Sequence, residues 1–250
     1  MSLKGLFSKD GRRERSLQKA VEKATNRKIK TDDRRPALHM LAEDGSDLAV
    51  TALLNRLVFN YDMNIVTDEE EKRYVFDVLV SYGDRIIDLL SIHLKNAPTL
   101  SWGLRILGEV CEKERGWEIL KDVLSDYDAE YERDPSRKQQ LLTFLGEFEH
   151  EAVAKTILPF LPDHDETVRF ITTEALFKRG DADVAREPLL KLLIDGDEES
   201  LRIKNRIAEG FSESGWVVKG YRGTVEKNLS AMGSEYVVDG KGRIRRKKGR

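Results

Sequence analysis

Residues able to do chemistry are few in this chain, and badly spaced for it. The four histidines are His39, His93, His150 and His164. Only two have ligand-like company, in His150-Glu151 and Asp163-His164-Asp165. A helix between those two clusters would hold them about 20 Å apart by helical rise, too far to share a metal ion. No His-Glu-x-x-His motif, EF-hand loop or cysteine cluster occurs. Gly240-Lys241-Gly242 lacks the rest of a phosphate-binding loop and follows no buried strand leading to a helix, so it reads as a turn. There is no Gly-x-Ser-x-Gly elbow, and Cys111 has no histidine nearby in sequence to activate it. As the single cysteine, set in the apolar stretch Leu104–Cys111, it reads as a small buried hydrophobe and excludes a disulfide framework. The paired acids Asp68–Glu71 and Glu198-Glu199 fall at helix starts, where a carboxylate stabilises the helix dipole by about 0.3–1 kcal/mol. The expectation is a protein with no catalytic residue, no metal and no cofactor.

The elements that would position any site are helices. Apolar residues recur at three- and four-residue spacing over 16–26, 32–43, 46–60, 68–82, 84–96, 99–113, 116–131, 136–147, 150–161, 165–179, 183–194 and 198–213. Start signals fit: Asp68 before a Glu-rich turn, Asp134-Pro135, and Asp165-Glu166. Gly45, Gly83, Gly146 and Gly180 fall just past patterned helices, where a left-handed cap wants no side chain. Strand patterns are absent from this stretch, which excludes a parallel-sheet enzyme. After Gly215, Gly220 and Gly223 the rhythm breaks. A cap helix is expected at 223–232, then a hairpin over Tyr236–Arg245 around an Asp239-Gly240 turn, pinned by Val237 or Val238 and Ile244.

An internal repeat organises the last helices. At an offset of 33, Ile157/Leu190, Phe160/Leu193, Leu161/Ile194, Glu166/Glu199, Val168/Leu201, Arg169/Arg202 and Ala175/Ala208 correspond. Each unit is an apolar helix, an acidic turn, then a helix with a branched apolar residue followed by Arg. A single pair cannot bury both its faces, so such units stack into a solenoid. These residues resemble the HEAT repeat family, including its short bacterial form, the phycobilisome-lyase-like repeat. The similarity lies in Asp163, Val168-Arg169, Ala175-Leu176 and Gly180, then Pro188, Leu201-Arg202 and Ala208. It departs at Gly196, which stands opposite Asp163, and at Lys155, which stands opposite Pro188. The resemblance implies an all-α, right-handed α-solenoid of about five or six helix pairs over 31–213, with weaker units at 32–41, 73–79 and 100–107. It also implies that Asp163 and Arg169 join a ladder between neighbouring repeats, and that the protein is a non-enzymatic scaffold binding a protein partner. Two enzyme classes share this fold. A DNA glycosylase needs a basic, aromatic-lined groove, and a bilin lyase needs a chromophore pocket. Neither has a signature here.

Charge divides the chain. The formal net charge of −2 is +7 over residues 1–35 and +7 over 241–250, which leaves −16 for 36–240. The reading is three regions: a basic, flexible 1–15, a helical-repeat body over 16–213, and a cap, hairpin and basic tail over 214–250. Candidate partner contacts on the second helices are Glu166, Arg169, Thr173, Glu199, Arg202, Lys204 and Arg206. The cations Lys241, Arg243, Arg245, Arg246, Lys247, Lys248 and Arg250 are candidates for an anionic surface, which leaves a nucleic-acid-binding module as the alternative. Near the start, Leu3, Leu6 and Phe7 among Lys4, Lys9, Arg12, Arg13, Arg15 and Lys19 would give only marginal membrane-surface binding. No run is long and apolar enough to span a membrane and no secretory signal is visible, so a cytoplasmic location is expected.

Overall fold

The computed structural model describes residues 9–60 and 65–247. About 70% of the described residues are helical, and one small two-stranded sheet lies among them near the end of the chain. The residues group into two compact units, Met1–Ile119 and Leu120–Arg250.

The first unit holds α1 (Lys9–Thr25), α2 (Thr31–Asp44), α3 (Asp47–Arg56), α4 (Ile65–Ser81), a 3₁₀ turn Gly83–Ile86, α5 (Ile87–Asn96), α6 (Ser101–Val110) and the start of α7 (Lys113–Leu124). Of the basic stretch 1–15, residues 1–8 lie outside the described residues, and Lys9 to Arg15 belong to α1. Within the unit α3 packs on α1 and α5, and α4 on α2 and α6, so each helix meets the one two further along. The apolar stripes make the core: Leu38, Leu41, Leu53, Val75, Leu79, Leu90 and Leu107 are closed to solvent.

That core contains charge. Arg34 of α2, Arg56 of α3, and Asp68, Glu71 and Lys72 of α4 are all buried. The Glu71 carboxylate lies 3.0 Å from Arg34 Nη1 and also accepts from Arg56 Nε. Asp68 pairs with Arg56 and, at 2.7 Å, with Lys72. Burial alone would raise the Asp68 pKa, but hydrogen bonds and charge from Lys72 and Arg56 outweigh it and hold the carboxyl below its ordinary value. These acids therefore clamp three helices, beyond the helix-start role expected of them.

The second unit continues with α8 (Ser136–Glu147), α9 (Val153–Ile157) running into a 3₁₀ turn Leu158–Phe160, α10 (Glu166–Arg179), α11 (Ala182–Ile194), α12 (Leu201–Ser214) and α13 (Arg222–Ala231), then β1 (Tyr236–Val238) and β2 (Ile244–Arg246). Two expected helices are shorter. Pro159 removes a donor within 150–161 and Pro162 follows directly, leaving one turn of α-helix. In 116–131 the helix stops at Leu124, and the carbonyls of Asp128 and Glu130 turn instead to Lys138 Nζ, at 2.9 and 3.4 Å.

α10 and α12 are built alike. Asp165 and Ser200 cap them, accepting from the N–H of Val168 (2.9 Å) and Ile203 (3.3 Å). Gly180 and Gly215 close them with φ of 68° and 70°. Caps and closing glycines are each 35 residues apart, so the second helices repeat at 35 while Ile157/Leu190 and Phe160/Leu193 keep the offset of 33. The turn ahead of α12 is longer, and it places Val168 opposite Ile203, both fully buried, in place of Leu201, which is exposed. Since a side chain at left-handed φ is strained, Gly215→Ala is expected to lower stability by about 1 kcal/mol, read as a shifted urea midpoint at unchanged slope.

Within this unit α10 packs between α8 and α12, while α11 packs on α9 and α13. β1 and β2 pair antiparallel with Val237 opposite Arg245. Asp239 holds the turn by accepting from the N–H groups of Lys241 (2.8 Å) and Arg243 (2.9 Å). β2 lies on α12 with Ile244 fully buried, so the hairpin caps the last helix layer as expected. Trp216 stacks on Phe177, centroids 5.4 Å apart, and meets Phe211 edge-on.

Candidate functional site

The turns ahead of α10 and α12 fix the spacing of the helices they introduce. Lys138 of α8, fully buried, pairs with Asp163 in the turn before α10 at 2.7 Å. Arg169 of α10 grips Glu198 in the turn before α12 with two bonds, 2.7 and 3.0 Å, and donates back to the carbonyls of Asp163 (2.9 Å) and His164 (3.1 Å). The hydrogen bonds that Arg169 donates to Glu198 raise the Arg169 pKa. Burial pushes Glu198 up, but Arg169 and the Ser200 N–H outweigh it and leave the pKa lowered. One cation from each helix thus answers an acid of the next turn. Glu198, 35 residues beyond Asp163, fills the place assigned to Gly196 in the sequence.

Beside this ladder the faces of α8, α10 and α12 enclose a groove of about 550 Å³. At its floor these helices pack closely through small residues. A Cβ on Gly146 of α8 would sit 3.0 Å from the Cβ of Ala175 on α10, and one on Gly210 of α12 would sit 2.5 Å from the Phe177 ring. Ile171 and Phe177 line it with apolar surface over the buried Leu142 and Ala175; Glu147, Lys178, Glu174, Arg206 and Glu213 supply its charges. A second hollow of about 580 Å³ shares Phe170 and Arg206 with the first and reaches the segment from Met232 to Tyr236.

The expected contact residues divide. Arg206 lines both hollows and Arg202 the second, its guanidinium 3.6 Å from the Phe170 ring centroid. Arg169 is committed to the ladder. Thr173 is fully buried, so it offers no surface to a partner. Glu166 accepts from the Ser200 hydroxyl at 2.7 Å, Lys204 donates to the Asp195 carbonyl at 2.9 Å, and Glu199 is exposed; none of the three lines either hollow. Phe170, Glu174, Phe177 and Glu213 were not anticipated. Their signal was available in part, because Phe170-Glu174-Lys178 and Arg206-Gly210-Glu213 each follow one helix face.

On the hairpin, Lys241, Arg243, Arg245, Arg246 and Lys247 are exposed. Arg245 lies 3.6 Å from Asp239, Arg246 2.8 Å from Glu235, and Lys247 donates to the Ser234 carbonyl at 2.6 Å. Lys248 and Arg250 lie outside the described residues.

Among the described residues no group of three or more His, Cys, Asp or Glu is placed to hold a metal. His39 bonds Tyr74 at 2.8 Å, and burial pushes His93 down to about 4. Burial likewise raises the Cys111 thiol. No helix among the described residues is long and apolar enough to cross a membrane. No protein family, curated protein or solved structure matches the chain.

Proposed function

We propose that this chain is a HEAT-like helical-repeat adaptor, non-enzymatic, that binds a protein through the groove across α8, α10 and α12. The observation that carries the reading is the groove itself: an apolar floor with a charged rim, formed by three successive second helices held in place by the Lys138–Asp163 and Arg169–Glu198 pairs. Apolar hollows fringed by a few polar groups are where partners and ligands bind. The alternating packing within each unit supports a solenoid, in which inner helices present such a face repeatedly.

A photo-crosslinking residue at Thr143, exposed on the groove wall, tests this in cells. Discrete protein adducts are expected there, and none from Lys155, exposed on α9 of the other layer. Equal labelling at both positions, or none at Thr143, would remove the reading. A second reading, nucleic-acid binding, is favoured by the exposed Lys241 and Arg243 of the hairpin. It calls for nuclease-sensitive adducts from Lys241 with none at Thr143. Deleting 241–250 is a poor test of it, because the cut removes Ile244 and uncovers α12.

A further inference from the structure

The rim of the groove carries more negative charge than it neutralises. Arg206 stands among three carboxylates: Nε is hydrogen-bonded to Glu174 of α10, and Nη1 lies 3.3 Å from Glu213 and 3.6 Å from Glu209. Glu209 belongs to the second hollow; on the groove itself Glu147, Glu174 and Glu213 face Lys178 and Arg206, which leaves one carboxylate in surplus. Arg202, over the Phe170 ring, adds a cation in the second hollow, so the two hollows together keep a surplus of one carboxylate. Glu147 is matched by Lys178, and Glu235 by Arg246. The surplus is thus confined to the α10–α12 side, and the carboxylates that make it are accessible, with Glu174 43% and Glu213 63% exposed. The same field reaches the mouth of the second hollow. There the Tyr236 hydroxyl is held above its ordinary pKa by burial first and then by Glu209, Glu235 and Glu213, against the pull of Arg246.

Beside this surplus is the apolar floor. Phe177 lines it over the buried Ala175, where Gly146 and Gly210 let the helices approach closely. A phosphate backbone would meet repulsion at the glutamates. An acidic peptide would meet it too. A cation would bring the α12 rim towards neutrality, while a large apolar side chain would fill the floor.

We propose that the groove takes a segment of a partner protein in which a large apolar side chain stands beside an arginine or lysine: the apolar group over Ala175 and Phe177, the cation on the solvent side of the Glu174 and Glu213 carboxylates, which share Arg206 beneath it. Arginine is the better occupant, because its planar fork can bond two carboxylates at once. This rests on the reading of the groove as a protein-binding site and names the chemistry of what it binds. Specificity would come from both halves of the motif. The apolar side chain supplies area removed from water, and the cation rejects partners of the wrong charge.

A random peptide library panned against the full chain tests it, with enriched peptides then synthesised and titrated by fluorescence anisotropy. The expected enrichment is a large apolar residue close to Arg or Lys. Binding should weaken about two- to fivefold for each of Glu174→Gln and Glu213→Gln, weaken further as salt rises, and be lost in Thr143→Arg, which fills the groove from an exposed position. Peptides that depend on Thr143 but carry no cation, or carry acids, would overturn this inference and leave the groove reading standing. No enrichment, or binding indifferent to Thr143→Arg, would overturn both. A dimer of the chain that Thr143→Arg dissolves would make a second copy the occupant and also refute the proposal.

Discussion

Glu71→Ala is expected to destabilise the Met1–Ile119 unit by about 3–5 kcal/mol, the range found when one partner is removed from a buried ion pair. The carboxylate answers Arg34 and Arg56 together, and both guanidinium groups are fully buried. Without it, Arg34 loses its carboxylate and Arg56 keeps only Asp68, both within the core. Hydrogen exchange should quicken through α2, α3 and α4, and the urea midpoint should fall by a matching amount. A loss below about 1 kcal/mol would mean that water reaches the cluster. The pH dependence has a definite sign. Asp68 has a folded-state pKa below its ordinary value of 3.8, so its contribution is fully present above that value and is lost as pH falls through the folded pKa. Acid unfolding of this unit should begin below pH 4, and earlier in Lys72→Met, which removes one of the groups that depress Asp68.

This cluster also shows where sequence reasoning stops. Asp68 and Glu71 sit at a helix start, and the dipole explains acids there without further partners. Their actual partners, Arg34 and Arg56, lie up to 37 residues away and are brought in by packing. Helices, caps and the hairpin are written locally. Asp165 and Ser200 before apolar runs, Gly180 and Gly215 after them, and the Asp239 turn all do what their residue types dictate. Register is less local, since an extra length of turn before α12 moves its core position from Leu201 to Ile203. The groove is less local still. Gly146, Ala175 and Gly210 are separated by unequal intervals, 29 and 35 residues, so no fixed period exposes them as one row. Thr173 was misplaced for the same reason. A polar residue in a helix looks like surface until its neighbours are known, and here the backbone of α10 turns it inward.

Lys138→Met is expected to cost the Leu120–Arg250 unit about 3–5 kcal/mol as well, because it leaves the Asp163 carboxylate buried without its ammonium. Two further groups lose a donor: the carbonyls of Asp128 and Glu130, which hold the loop between α7 and α8. That loop should become open to protease in the variant at temperatures where the parent resists. The companion Lys138→Met/Asp163→Leu separates charge from shape. Apolar groups replacing a whole buried pair are often neutral, so the double variant should recover most of the loss. It should keep a residual of about 1 kcal/mol for the bond that Asp163 accepts from the Asp165 N–H at 2.8 Å. If the double variant were no more stable than the single, the pair would not be the source of the loss. The outcome bears on the groove, because the two kinds of acid in this unit have different duties. Asp163 and Glu198 are buried and already matched within the ladder, whereas Glu174, Glu209 and Glu213 share one arginine at the surface. Loss of Lys138 should therefore lower peptide binding only in proportion to the protein it unfolds, while loss of Glu174 or Glu213 should lower binding with the fold intact.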